Sequence, residues 1–314
     1  MILSPGCCII ETGSFPGEGR NMFQAWWQVF LIFCLIFLVL TGGLFFSQTE
    51  LPRTVTYGLM RQLIAGYTAW QTRGWASLTS THFILRYQPG DADVAPLVLE
   101  TAEAAYEPAS RLLGYRPGGK LLILLYPDRA SLARQFGWPA SEGAMGVYWG
   151  GVVRVLSPHD WVESQDPSEV AAIFKTAGPV AHEFTHLLVD MKARGNYPRW
   201  LTEGVAQEVE RRLTGFTMPG SDRAQAWYPL KDMDRGFDSL PDQSLAYRQS
   251  WLIVDFLVRE RGITTLRQLL ASLGEGDTLD QAFRQVLGLS LDDFEKNFKK
   301  SVPVERARVS LPAG

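Results

Sequence analysis

The chain has 314 residues, 46% of them hydrophobic, a length that suits one substantial globular domain or two small ones plus an appendage. A net charge of −3, without a basic stripe interleaved with aromatic residues, gives no reason to expect nucleic acid as a partner. The three cysteines, Cys7, Cys8 and Cys34, all precede residue 47. Beyond that point any metal must therefore be held by histidine and carboxylate.

The first recognisable element is an apolar run, "AWWQVFLIFCLIFLVLTGGLFF", from Ala25 to Phe46, with Gln28 and Thr41 as its only polar side chains. About 20 apolar residues in a helix cross a hydrocarbon core of about 30 Å. The run therefore predicts a single N-terminal transmembrane helix. A cleaved secretory signal and a buried core helix are the alternatives, but the run is long and no small-residue cleavage site follows it. Basic flanking residues mark the orientation poorly, and we expect an extracytoplasmic domain.

The segment after this run, "TVTYGLMRQLIAGYTAWQTRGW", places Met60, Ile64 and Tyr67 at helical spacing. It predicts a helix that either leads into the domain and docks on it or lies along the membrane surface.

Strand patterns dominate the next part of the chain. "HFILRYQP" alternates in the manner of a strand, "KLLILLYP" reads as a buried strand, and "GVYWGGVVRVLSP" is β-rich. The glycine pair of the last segment indicates a bend or a close backbone approach. Helical patterns lie between these strands, in "DVAPLVLETAEAAYEPASRLLG" and "DRASLARQFG".

From Asp166 the patterns become helical almost to the end of the chain. Strands first and helices afterwards predict an α+β fold, with a sheet-containing N-terminal half packed against a helical C-terminal half. The expected organisation is a tail at 1–24, a transmembrane helix at 25–46, a membrane-proximal helical segment at 47–80, a catalytic domain at 81–301 and a tail at 302–314.

The segment "VAHEFTHLLVD" contains His182, Glu183 and His186. On a helix, successive residues are about 100° apart, so the two histidines share a face one turn apart, opposite an apolar stripe. Both imidazoles can then reach one ion, with Glu183 beside them as a base. The alternative is an ordinary solvated helix face.

A third ligand is expected from "PRWLTEGVAQEVERRL", where Glu203 faces away from the apolar stripe of its helix. Glu203 follows His186 by 17 positions (203 − 186), and the intervening "RGNYP" can turn the second helix back beside the first. A catalytic zinc site needs three protein ligands and one open position. The three residues therefore predict a Zn²⁺ site of two histidines and one glutamate. His82 and His159 have no partner at ligand spacing, and we assign them no catalytic role.

"HEFTH" followed by "WLTEG" resembles the gluzincin zinc metallopeptidases, and "PRWLTEGVAQ" is especially similar to the bacterial peptidase MA-like domains. The zinc aminopeptidases related to aminopeptidase N share the W-L-x-E-G string. The resemblance runs from about residue 82 to about residue 300 and implies a thermolysin-like zincin core with zinc on His182, His186 and Glu203. The gap between the second histidine and the glutamate is slightly shorter here than in the aminopeptidases.

The ligand set predicts hydrolysis by a zinc-activated water, with Glu183 as general base and then general acid. In the resembling families a tyrosine or histidine stabilises the oxyanion, and Tyr247 is the candidate by position; the alternative is a tyrosine that caps the core. Asp190 and Gln207, each one turn past a ligand, are expected to support the imidazoles.

"SEGAMGVYWGG" precedes the metal helix by about the distance of the aminopeptidase motif G-(A/G)-M-E-N. Gly143, Ala144 and Met145 match it, but Gly146 and Val147 replace its glutamate and asparagine. The missing glutamate grips a free amine, so the sequence predicts endopeptidase-type cleavage of peptide or protein substrates. A zinc-binding envelope scaffold and a non-peptide amidohydrolase with the same site remain the alternatives.

Overall fold

The computed structural model describes residues 34, 37, 53–139, 143–218 and 226–304, and the chain divides into two compact units, Met1–Leu51 and Pro52–Gly314. Apart from Cys34 and Phe37, which are helical, the expected transmembrane segment at 25–46 lies outside the described residues. Within the described parts of the chain, no helix combines the length and the apolarity needed to cross a bilayer.

Within its described residues, the second unit consists of helices and strands with two short 3₁₀ turns. The strands are β1 (Ala76–Thr79), β2 (Phe83–Tyr87), β3 (Leu121–Tyr126), β4 (Gly146–Trp149) and β5 (Val152–Leu156). The helices are α1 (Arg53–Gln71), α2 (Ala95–Leu113), α3 (Arg129–Arg134), α4 (Pro158–Trp161), α5 (Pro167–Ala177), α6 (Val180–Ala193), α7 (Arg199–Thr214), α8 (Leu230–Arg235), α9 (Gln243–Arg261), α10 (Ile263–Glu275), α11 (Leu279–Leu287) and α12 (Leu291–Ser301).

The strands form one five-stranded sheet in the order β1-β2-β3-β5-β4. β2, β3 and β5 are parallel, whereas β1 and β4 are antiparallel edge strands. The expected strands and the mixed α+β class are confirmed. β1 was missed, because its four residues are too few and too exposed to show an alternating pattern.

Both faces of the sheet are covered, which explains why β3 is a continuous apolar run. Ile123 and Leu125 join the main core with α2 and α6. Leu124 and Tyr126 point to the other face and form a smaller cluster with Leu132 of α3. Alternate side chains of a strand point to opposite faces, so one sequence segment serves two cores.

The turn between β4 and β5 consists of Gly150 and Gly151, whose φ angles of 60° and 83° favour glycine. α1 packs directly on this turn. A Cβ at Gly150 would lie 2.4 Å from Ile64 Cγ2, so the predicted close backbone approach is confirmed. α1 and β1 belong to the same compact unit as the rest of the sheet.

In the helical half, α7 lies between α6 and α9, and every residue from Trp200 to Glu210 is buried. Gly204 permits the close approach of α9, because a Cβ there would lie 2.2 Å from the carbonyl oxygen of Ser250. The polar face of α7 is thus enclosed as well as its apolar stripe. Two of its buried acidic side chains, Glu203 and Glu210, lie against α6.

Candidate metal centre

Helix α6 presents the two histidines of the motif on one face. It begins after Pro179, and its apolar stripe, including Phe184 and Leu187, is fully buried in the main core. His182 and His186 lie on the opposite side, with ring centroids 4.7 Å apart and ring planes at 80°. Their side chains are 14% and 11% exposed, so both rings are largely buried.

Helix α7 returns beside α6 through the tight turn that the sequence predicted. Arg194 adopts a left-handed conformation with φ of 51° and ends α6, and Gly195 continues the reversal with φ of 77°. The return brings Glu203 Oε2 to 3.4 Å from His182 Nε2 and to 3.5 Å from His186 Nε2. Ligand atoms of these three residues all lie within 4.8 Å of one another.

The donor set fits a divalent cation such as zinc. Among the described residues, Glu203 Oε2 is a buried oxygen with no hydrogen-bond donor, which is costly unless a cation satisfies it. The outer imidazole nitrogens are already occupied: His182 Nδ1 is 3.1 Å from Glu210 Oε2, and His186 Nδ1 is 2.7 Å from Thr202 Oγ1. Both Nε2 atoms are therefore free to bind one metal ion together with Glu203, as in a His₂Glu zinc site.

Arg199 orients the glutamate of the site. Its Nε donates a 2.7 Å hydrogen bond to Glu203 Oε1, which leaves Oε2 as the atom presented to the histidines. Burial alone would lower the pKa of Arg199, but Glu203, Tyr247 and Asp238 together outweigh burial and raise it. Arg199 is thus a fixed cation behind the ligand carboxylate.

Electrostatics at the centre favour bound positive charge. Burial would raise the pKa of Glu203, but the two histidines outweigh it and hold that pKa well below its usual range. Burial would lower the pKa of His182, but Glu210 and Glu203 raise it well above the ordinary value. A site whose carboxylates strengthen proton binding to an imidazole also strengthens the binding of a metal cation at the same nitrogens.

Glu183 extends from helix α6 towards edge strand β4. Tyr148 donates its backbone N–H to Glu183 Oε2 at 2.6 Å, and the carboxyl group is buried. Burial raises the pKa of Glu183, and so does the charge of Glu203, while the histidines act in the opposite direction. On the other side of the contact, a Cβ at Gly146 would lie 2.6 Å from Glu183 Cγ.

Tyr247, at the first turns of α9, lies on the Glu203 side of the site. Its hydroxyl is 3.4 Å from Arg199 Nη2, and its ring packs edge-on against Phe237. Burial and the charge of Glu203 raise the pKa of Tyr247 to about 12, so the phenol is protonated at neutral pH. Its role as oxyanion donor stays a prediction.

The expected support of the imidazoles by Asp190 and Gln207 is wrong. Gln207 Nε2 donates to the carbonyl oxygens of Glu203 and Tyr247, and Asp190 binds side chains of other segments. The partners of the imidazoles are Thr202 and Glu210. Helical spacing could have indicated Glu210 as a partner of the imidazoles, because it lies two turns after Glu203 on the same polar face. No sequence pattern indicated Thr202.

The remaining histidines are engaged elsewhere. His82 Nδ1 is 2.7 Å from Glu103 Oε2, and His159 Nε2 is 3.1 Å from Asp93 Oδ1. Among the described residues, His182, His186 and Glu203 form the one group of at least three His, Cys, Asp or Glu side chains close enough to hold a metal.

The helical half of the chain matches a known family model. Residues 168–304 match the model described as the Peptidase MA superfamily, and this region contains α6 and α7 with all three candidate ligands. The match, the mixed α+β architecture and the metal constellation support a gluzincin-like peptidase fold and a zinc metallopeptidase-like function.

Individual relatives are distant. The chain is 22% identical over 232 residues to the uncharacterized protein YhcO of Bacillus subtilis, covering 68% of this chain and 67% of YhcO. Among solved structures it is similar to a mutant form of the M1 zinc metallopeptidase from Deinococcus radiodurans, with 16% identity and a TM-score of 0.39. That match covers 76% of this chain and 52% of the other, so the chain spans about half the length of that metallopeptidase.

Proposed function

We propose that this protein is a zinc-dependent metallopeptidase that hydrolyses peptide bonds, with His182, His186 and Glu203 as ligands and Glu183 as general base and acid. The observation that carries the proposal is the convergence of the two Nε2 atoms on Glu203 Oε2, a buried oxygen without a hydrogen-bond donor among the described residues. Zinc, when bound, would supply the Lewis acidity that activates water and polarises the scissile carbonyl.

Glu183 would carry the proton in both halves of the reaction. Its Oε2 is held by the Tyr148 amide, so the carboxylate is fixed in one orientation beside the histidines. It takes a proton from the attacking water as the new C–O bond forms, and delivers it to the leaving nitrogen as the C–N bond breaks. Burial supports this exchange because it raises the pKa of Glu183, which makes the protonated form easier to reach.

Tyr247 would donate its hydroxyl proton in a hydrogen bond to the developing oxyanion. Support comes from its position beside Arg199, which holds the ligand Glu203, and from a pKa of about 12, which keeps the donor proton in place.

Edge strand β4 supports cleavage within a peptide rather than at a free amino terminus. Because the Tyr148 N–H points to Glu183 and not to β5, the free edge of β4 faces the proposed base, where an extended peptide can pair with it. At Gly146, where the aminopeptidase motif has its amine-binding glutamate, no side chain fits without displacing Glu183. We therefore propose an endopeptidase-type activity.

Metal analysis and unbiased peptide digestion of the full chain test this function, with wild type compared with Glu183→Gln. We expect both proteins to retain zinc and only the wild type to cleave peptides. Zinc retained without turnover of any peptide by either protein would favour the scaffold, and turnover of non-peptide amides alone would favour the amidohydrolase. A preference for unblocked amino termini would overturn the endopeptidase assignment.

We also propose that the apolar run at 25–46 anchors the protein in a membrane, with the metal domain outside the cytoplasm. Support comes from the outer face of α1, which is a solvent-exposed apolar stripe within an arc of about 100°. The stripe consists of Leu59, Met60, Leu63, Tyr67 and Trp70, each at least 58% exposed. Such an apolar face with tyrosine and tryptophan suits the interface of a bilayer.

A further inference from the structure

The aspartate that follows the metal motif on α6 is the centre of a buried hydrogen-bond cluster. Asp190 is fully buried, and its carboxylate accepts from Arg61 Nη1 at 2.9 Å, from the Tyr148 hydroxyl at 2.6 Å and from the Tyr197 hydroxyl at 3.0 Å. We call these four residues the Asp190 cluster. A buried carboxylate requires such compensation, because an unpaired charge in the interior is strongly destabilising.

Each donor of the Asp190 cluster comes from a different segment of the chain. Arg61 belongs to α1, Tyr148 to edge strand β4, and Tyr197 to the connection that leads into α7. The acceptor itself lies on α6, two turns after Glu183. The cluster therefore ties the first helix of the domain to the strand and the helix that meet at the proposed base.

Tyr148 contacts α6 at two points. Its backbone N–H binds Glu183 Oε2 at 2.6 Å, and its hydroxyl binds Asp190 Oδ2 at 2.6 Å. Glu183 and Asp190 are seven residues apart, so both lie on one side of the helix about 10 Å from each other along its axis. Two contacts at this separation hold Tyr148, and with it this part of β4, beside α6.

The approach of α1 to this region is built into the sequence by glycines in the left-handed conformation. A Cβ at Gly151, with φ of 83°, would lie 2.9 Å from Arg61 Cγ. A Cβ at Gly195, with φ of 77°, would lie 2.5 Å from the ring of Tyr57. Side chains at these turns would push α1, and with it Arg61, away from Asp190.

We infer that Arg61 is a positioning residue for catalysis: through Asp190 and Tyr148 it holds strand β4 against Glu183. The inference rests on the proposed function for its catalytic consequence. Its structural part states that the position of β4 depends on the ion pair between Arg61 of α1 and Asp190 of α6. This dependence can be measured without turnover.

The test uses the full chain and replaces Arg61→Met, which keeps the aliphatic stem and removes the charge, and Tyr148→Phe, which removes the hydroxyl and keeps the amide. Arg111→Met is the matched control, because Arg111 is an exposed helix arginine, 68% accessible, away from the site. Amide hydrogen exchange of the segment 146–149 is followed in each protein, together with zinc content, kcat and KM.

For Arg61→Met we expect exchange at 146–149 to rise at least about tenfold, and kcat per zinc-loaded protein to fall about 10- to 100-fold with KM changed much less, since a displaced base slows the chemical step. Tyr148→Phe should act in the same direction. The double variant Arg61→Met/Asp190→Asn should refold more readily than Arg61→Met alone, because it no longer leaves a buried carboxylate unpaired. Arg61→Lys should recover part of kcat.

Unchanged exchange at 146–149 in both Arg61→Met and Tyr148→Phe would overturn the inference, as would a loss of kcat that is fully explained by unfolded or zinc-free protein. If the wild type cleaves no peptide but its exchange still responds to Arg61, the proposed function fails and the structural coupling stands. If the wild type cleaves peptides and the variants match it in kcat, the positioning role of Arg61 in catalysis fails and the proposed function stands.

Discussion

The backbone amide of Tyr148 and the Oε2 atom of Glu183 form a 2.6 Å hydrogen bond that joins the edge strand of the sheet to the helix of the metal motif. The proposed base is thus held by a strand that lies 35 positions earlier in the chain. Strand position and base position are therefore coupled, and changes in β4 should act on catalysis without touching a metal ligand.

Gly146→Ala tests this coupling at its tightest point. The new Cβ would lie 2.6 Å from Glu183 Cγ and 2.8 Å from Pro179 Cβ, so the strand or the base must shift. We expect kcat to fall at least about tenfold with zinc retained, since misplacement by even 1 Å can cost about 100-fold. Gly143→Ala is the control, because a Cβ there meets nothing within 4 Å. Equal kcat values in the two variants would show that β4 does not position the base.

The partners of the imidazoles should tune metal affinity. Thr202→Val removes the oxygen 2.7 Å from His186 Nδ1, and Glu210→Leu removes the one 3.1 Å from His182 Nδ1. We expect each change to weaken zinc binding by about 10- to 100-fold, measured by competition with a chromophoric chelator. Thr265→Val, at an exposed hydroxyl on α10, should leave zinc affinity unchanged. Wild-type affinity in both site variants would contradict the assigned orientation of the two rings.

Tyr247→Phe tests the oxyanion donor. If the hydroxyl meets the developing charge, kcat should fall about 100-fold while KM and zinc content stay close to wild type. Tyr228→Phe is a control of the same type, since the Tyr228 hydroxyl accepts a hydrogen bond from the Asp242 amide at 3.0 Å, outside the metal centre. Steady-state kinetics on one peptide substrate distinguish the two, and a retained kcat in Tyr247→Phe would remove this tyrosine from the mechanism.

Two helical glycines should respond to alanine in opposite directions. At Gly204 a Cβ would lie 2.2 Å from the Ser250 carbonyl oxygen, a backbone atom that cannot move aside, so Gly204→Ala should lower the free energy of unfolding by about 3 kcal/mol. At Gly66 of α1 nothing lies within 4 Å, so Gly66→Ala should raise it by about 0.5–1 kcal/mol. Denaturant unfolding measures both, and a destabilising Gly66→Ala would argue against the helical assignment of α1.

The exposed stripe of α1 should lie at the lipid surface when the full chain is reconstituted in vesicles. In a background with the three native cysteines replaced by serine, an environment-sensitive fluorophore is attached at Leu63→Cys or at Lys296→Cys. Leu63 is 65% exposed within the stripe, and the Lys296 side chain is 75% exposed on α12. Lipids carrying a shallow nitroxide should quench the fluorophore at residue 63 far more than at residue 296. Equal quenching at both positions would indicate that the stripe contacts water or protein and not lipid.

Local patterns were sufficient to find the candidate metal ligands and most elements of the fold. His182 and His186 needed only helical spacing, and Glu203 needed only a short turn between two helices, which Arg194 and Gly195 provide. The alternation of β2 and the apolar run of β3 likewise predicted strands, because the burial of a strand determines which of its consecutive residues are apolar.

The surroundings of these ligands depended on contacts between distant segments. Asp190 was expected to support an imidazole because it lies one turn beyond His186, yet it binds Arg61, which is 129 positions away. Gly146 is a second example of a contact between distant segments, because its lack of a side chain leaves room for Glu183. Helical geometry acts over a few residues and can be read from spacing, so the sequence alone determined which side chains can share a cation. The partners that hold those side chains were decided by the packing of α1, β4 and α7 around α6, because such contacts arise only when the whole chain has folded.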